Sequence, residues 1–204
     1  MEWIGWGIGA WLLLHALMLA MMAKHFYTLE FRRGRYWEIT EADVPRHVAA
    51  LLEPEVLALR ELGFEPLGWT EYLSHVGTTQ RGFAAVLLHR DGRVVASVSP
   101  HQLPEPANPT FTSFLTVYDD GSSLLTVNGM AWAIIGDIPQ TRVEDPYAGT
   151  LQQHFEAHLA ADRASSREAV RPTLAAFVEA STRQLDGNVA GLAEGGALVP
   201  AGEG

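Results

Sequence analysis

The chain has 204 residues, 48% of them hydrophobic, with 24 Asp and Glu against 14 Lys and Arg, a formal net charge of −10 and no cysteine. That length suits one domain with a sizeable core plus appendages. The missing thiols exclude a disulfide framework, a thiolate nucleophile and any cysteine-based metal centre, and so acidic a chain is not built to bind nucleic acid.

The apolar excess is concentrated at the start. From Trp3 to Ala23 there are 21 residues without a formal charge, His15 being the one readily ionisable group among them. At about 1.5 Å per residue a helix of that length spans roughly 30 Å, the thickness of a bilayer's hydrocarbon core. A secretory signal needs a basic start and a shorter apolar run, but here Glu2 is the only charged side chain before the run. The segment therefore reads as a single transmembrane helix. Lys24, Arg32, Arg33 and Arg35 follow it and no Lys or Arg precedes it. The positive-inside rule then places the body in the cytoplasm and the N-terminus outside, as in an inner-membrane protein.

Three glycines, Gly5, Gly7 and Gly9, lie within this run. They follow no strand, so a dinucleotide loop is excluded, whereas Gly5 and Gly9 form the GxxxG spacing that lets helices approach closely in lipid. His15, near the centre of the span, calls for a polar partner there. An interhelical hydrogen bond is the plainer reading and axial ligation of a haem or chlorin the remoter one. The sequence assigns no cofactor.

Residues 24–37, KHFYTLEFRRGRYW, interleave bases with aromatics. That mixture suits a headgroup region, with Lys24, Arg32, Arg33, Arg35 and Trp37 as interface contacts; a continuation of the membrane helix onto the body fits equally well. With residues 1–37, the anchor and this segment, set aside as a first unit, the body and tail from residue 38 carry 10 basic and 22 acidic side chains, 10 − 22 = −12.

The body, 38–186, is expected to be α+β. A helical hairpin or kinked helix over 41–62 opens at Thr40 with Asp43 three residues on, a relative of the capping box. Val44, Val48, Leu51 and Leu52 share one face, Pro54 starts a second turn or a kink, and Gly63 terminates the helix. The period then changes to two. Strands are predicted near Leu67–Val76, Gly82–His89, Arg93–Ser99, Phe111–Tyr118, Ser123–Val127 and Trp132–Ile135, a sheet over 67–135. Asp91-Gly92, Asp120-Gly121 and Asn128-Gly129 supply turn chemistry for an antiparallel meander. FAAVLL, Phe83–Leu88, is apolar on both faces and reads as a central strand covered on both sides. The prolines of PHQLPEPANP divide the meander into two hairpins.

Helices return over 150–186 and are expected to cover one face of the sheet. Leu151, Phe155, His158 and Leu159 form the inner stripe of the first. Ser165 with Glu168 makes a capping box for the second, and Pro172 kinks that helix or starts it. From Gly187 to the end, glycine and small residues predominate, and a disordered tail is expected.

His154 and His158 stand one helical turn apart, a spacing that lets two imidazoles share a metal. The segment HFEAH is not HExxH and brings no third ligand, and His158 falls on the apolar stripe, so packing is the plainer account. His75, His89 and His101 with Asp91, Asp119 and Asp120 combine into a triad only on paper, for no GxSxG or Walker pattern accompanies them. The expected function is therefore non-enzymatic: a single-pass accessory or binding subunit that docks on a larger membrane protein assembly through its N-terminal helix. The alternatives are a membrane-tethered metal-assisted hydrolase using His154 and His158, and a small-ligand sensor.

Overall fold

The computed structural model describes residues 11, 15, 17–19, 35–73, 81–101, 109–129, 138 and 140–194. The body is α+β. Its strands are β1 (Arg35–Ile39), β2 (Phe64–Leu73), β3 (Arg81–His89), β4 (Val94–Pro100), β5 (Thr110–Val117), β6 (Ser123–Thr126) and β7 (Thr141–Glu144). The helices are α1 (Arg46–Glu61), α2 (Leu151–Ser165) and α3 (Leu174–Glu194).

The seven strands form one sheet in chain order, antiparallel from β1 to β6, with β7 added parallel to β6. The alternation rule places five of these strands, and β3 is buried from Ala84 to Leu88, as a doubly apolar run requires. The proline-rich connection does not divide the meander, because β4 pairs with β5 over the whole register from Val94↔Thr116 to Pro100↔Thr110. The sheet also has a strand at each edge that the alternation rule does not place: β1, from the end of the basic–aromatic segment, and β7, between the expected sheet over 67–135 and the helices over 150–186. The expected strand Trp132–Ile135 lies outside the described residues.

Thr40 and Asp43 do make a local cap, the Asp43 carboxylate accepting from the Thr40 backbone N–H at 3.1 Å and hydroxyl at 2.7 Å. It closes a single 3-10 turn, Glu41–Asp43, and α1 begins only after Pro45 as one helix containing Pro54. Val48 and Leu52 are buried on its inner face and Val44 is buried just before it, while Leu51 stays exposed.

The last two helices do not share a face of the sheet. α1 and α2 pack on one side, where Leu52, Leu59, Phe64, Phe114 and Phe155 meet. α3 packs on the other, with Phe177 and Ala180 against Val86, Val95 and Leu115. No capping box at Ser165 joins them, because Ser166 takes a left-handed conformation and the chain runs on without helix to Thr173. That stretch pairs with the end of β5 through Val170 N–H to the Val117 carbonyl at 2.9 Å and carries the chain from one face to the other. Pro172 thus precedes α3 rather than kinking it.

Helix α3 continues past Gly187 to Glu194, so the expected tail does not begin at 187, and residues 195–204 lie outside the described set. Half-burial at Gly187, Val189 and Gly191 accompanies this extension, and packing outweighs weak helix propensity there. The sheet curls around α3. Tyr36 N–H on β1 reaches Thr182 Oγ1 at 3.3 Å, and Gln184 Nε2 reaches Ser123 Oγ on β6 at 3.4 Å. Two residues along a helix are about 200° apart around its axis, so β1 and β6 flank α3 on opposite sides. Flat strands five places apart would be separated by about 24 Å, twice the width of a helix, and only a curved sheet brings both within reach.

Among the described residues no helix is long and apolar enough to cross a membrane. The segment expected to do so lies mostly outside them, and of its residues Trp11, His15 and Leu17–Leu19 are described, in helical conformation.

Candidate functional site

The polar chemistry of the body gathers along one stripe of α2. His154, His158 and Asp162 recur every fourth residue and therefore line up on one helical face. All three are buried, at 2%, 0% and 4% exposure, while the expected inner residues Leu151 and Leu159 are only partly covered. The helix is thus rolled so that a polar column, with Phe155 beside it, faces β5 and β6.

The sheet meets this column with matched groups. Phe114 and Thr116 of β5 and Tyr118 just beyond it alternate onto the α2 face of the sheet, and Thr126 comes from β6. Thr116 Oγ1 lies 2.8 Å from His158 Nε2, and Thr126 Oγ1 lies 3.1 Å from His158 Nδ1. A neutral imidazole donates from one nitrogen and accepts at the other, so two hydroxyls satisfy it completely. Burial, with His154 alongside, pushes the His158 pKa down to about 3. Burial likewise lowers His154 to about 4, against smaller opposing effects of the Thr126 backbone and the Asp145 charge. His154 Nε2 finds no hydrogen-bond partner, and its ring lies against Phe114 with centroids 4.7 Å apart.

The lower end of the column is ionic. Asp162 accepts from Arg93 Nη2 at 2.9 Å and from the Tyr118 hydroxyl at 3.1 Å. Burial, followed by the neighbouring Asp162, raises the Tyr118 pKa. Arg167 stacks over the same tyrosine at 5.6 Å and donates to Ser122 at 2.9 Å. These contacts fasten the start of the crossing to α3. The sequence offered one signal for them, the continuation of the His154–His158 spacing to Asp162; Arg93, Thr116, Tyr118 and Thr126 come from distant segments.

The structure brings His154 and His158 together but commits both nitrogens of His158 to threonines. Among the described residues no three His, Asp or Glu side chains converge as metal ligands. Gly5, Gly9, Lys24, Arg32 and Arg33 lie outside the described residues. His15 Nδ1 lies 3.1 Å from the Trp11 carbonyl one helical turn back, with the two rings 4.1 Å apart. Arg35 and Trp37 are on β1, opposite Leu73 and Glu71 of β2. A small hollow of about 20 Å³ lies between α3 and the β5–β7 side of the sheet, where Ser123, Gln140, Thr141 and Gln184 supply polar groups. The hydroxyls of Ser123 and Thr141 already bond each other there at 2.9 Å.

Comparison with known proteins adds no relative: no family model, curated protein or solved structure matches the chain.

Proposed function

We propose that the chain is a single-pass accessory or binding subunit, non-enzymatic, that docks on a larger membrane protein assembly through its N-terminal helix and presents the α+β body as an interaction module. The observation that carries this reading is the uncharged run from Trp3 to Ala23, followed after 11 residues by β1. An extended tether of 11 residues reaches at most about 40 Å, so the body would stand close to the bilayer. The basic residues after the run favour a cytoplasmic body on an inner membrane. His15 Nδ1 is engaged by the Trp11 carbonyl, which leaves Nε2 to meet a neighbouring helix. A non-catalytic role is supported by the polar column, whose hydrogen-bonding capacity is spent mainly on holding α2 to the sheet.

The test is membrane fractionation of the full chain. It is expected to resist high-salt and alkaline washes and to leave with mild detergent, bringing a partner chain in fixed proportion. Two lysines within the run, Leu14→Lys with Leu17→Lys, cost about 5 to 7 kcal/mol of insertion free energy and are expected to shift the protein into the wash. His15→Leu is expected to keep the chain in the membrane and weaken recovery of the partner. Wild-type chain in the alkaline wash sinks the anchor, and unchanged partner recovery with His15→Leu sinks the recognition role of His15.

A further inference from the structure

The sheet gathers cationic and aromatic side chains that the sequence keeps far apart. Arg35 of β1 is opposite Leu73 of β2, and Leu73 is opposite Arg81 of β3. Directly opposed residues point to the same face, so the three form one row at the end of the sheet. The next row on that face begins with Trp37 opposite Glu71. Trp37 is 39% exposed, a large apolar ring in contact with solvent among the described residues. Glu71 is nearly covered and holds the Arg81 guanidinium at 3.0 Å, while the Arg81 side chain remains 72% exposed. Two arginines against one mostly buried carboxylate make a locally cationic patch on a chain of net charge −10.

We infer that Arg35, Trp37 and Arg81 form a docking patch for the headgroup zone of an anionic bilayer, laying this end of the sheet against the membrane. The inference rests on the membrane-anchored reading above and extends it from the tether to the folded body. Charge complementarity selects the occupant: anionic lipid attracts arginine, and the interfacial zone takes an indole ring beside it. Chain connectivity points the same way. The basic–aromatic segment runs directly into Arg35, the first residue of β1, so the patch continues that segment onto the fold. Arg81, 46 positions further along the chain, joins it only through strand pairing.

The full chain is reconstituted in phosphatidylcholine vesicles with and without phosphatidylglycerol, with bromine on the upper acyl chain as a short-range quencher of indole fluorescence. The difference between wild type and Trp37→Phe isolates the Trp37 signal. This signal is expected to be quenched in the anionic vesicles and much less in the neutral ones. Arg35→Gln and Arg81→Gln are each expected to weaken docking about fivefold, from about 1 kcal/mol per cation near an anionic surface. Arg163→Gln, in the last turn of α2, is expected to leave it unchanged. An unquenched Trp37 signal from protein that floats with the vesicles overturns the patch while the anchor stands. Equal weakening by Arg163→Gln overturns it as well, because any surface arginine would then serve. Protein that fails to float after an alkaline wash defeats the anchor itself and the patch with it.

Discussion

His158 owes its place to two hydroxyls. Removing its ring leaves Thr116 and Thr126 buried with hydrogen-bonding groups to satisfy, whereas removing His154 takes away a ring nitrogen that has no partner. His158→Leu is therefore expected to cost about 2 to 4 kcal/mol, and His154→Leu distinctly less, in urea unfolding of the full chain. Both histidines have folded pKa values below the ordinary value of 6.5, about 4 and about 3. Over that window the unfolded chain binds more protons than the folded one. Stability is thus fully present above about pH 6.5 and is lost as pH falls, at up to about 1.4 kcal/mol per pH unit for each histidine. His154→Leu is expected to make the fall in stability between pH 6 and 4 shallower, and an unaltered slope would show that its burial does not set its charge. The spacing of the pair was legible in the sequence. Its meaning was not, since two imidazoles one turn apart suit either a metal or a core, and the deciding threonines come from another hairpin.

The strands show what local chemistry can specify. Asp91-Gly92 and Asp120-Gly121 end their strands as expected, with Gly92 at φ 76° and Gly121 at φ 79°, the left-handed region that glycine enters freely. Gly82 has a different reason to be glycine. It lies opposite Tyr72, and a Cβ there would come within 2.1 Å of the Tyr72 ring. That ring in turn stacks on Tyr36 at 5.2 Å, and burial, with Tyr72 alongside, pushes the Tyr36 hydroxyl pKa up. Gly82→Ala is expected to lower stability by about 1 to 3 kcal/mol through overpacking. Combined with Tyr72→Ala the loss should be less than the sum of the two, because the second change removes the obstacle; strict additivity in denaturant unfolding would contradict the packing account. β1 escaped the sequence reading because RYWEI resembles membrane-interface chemistry as well as an edge strand. β7 escaped because four residues carry too little periodicity to register.

At the scale of the molecule, protection should follow coverage. β3 and β4 lie within the sheet with helices on both faces, and their valines and leucines are almost wholly buried. β1 and β7 are the terminal strands of the sheet. Hydrogen exchange is expected to be slowest in β3 and β4 and fastest in β7, with β1 slowed at Tyr36, whose amide is held by Thr182. Uniform protection across all seven strands would show that the sheet opens only globally. The sequence by itself determined the α+β class, the five strands β2 to β6, the doubly covered β3 and the uncharged N-terminal run, because each depends on periodicity, turn residues or composition within a short window. Only the tertiary structure decided the pairing of β4 with β5, the rolled face of α2, the division of α2 and α3 between the two faces, the curl of the sheet around α3 and the placing of Arg35 and Arg81 in one row. Those outcomes depend on partners far apart in the chain, and the side chain that satisfies a buried histidine or shares a row with an arginine is fixed by register and packing.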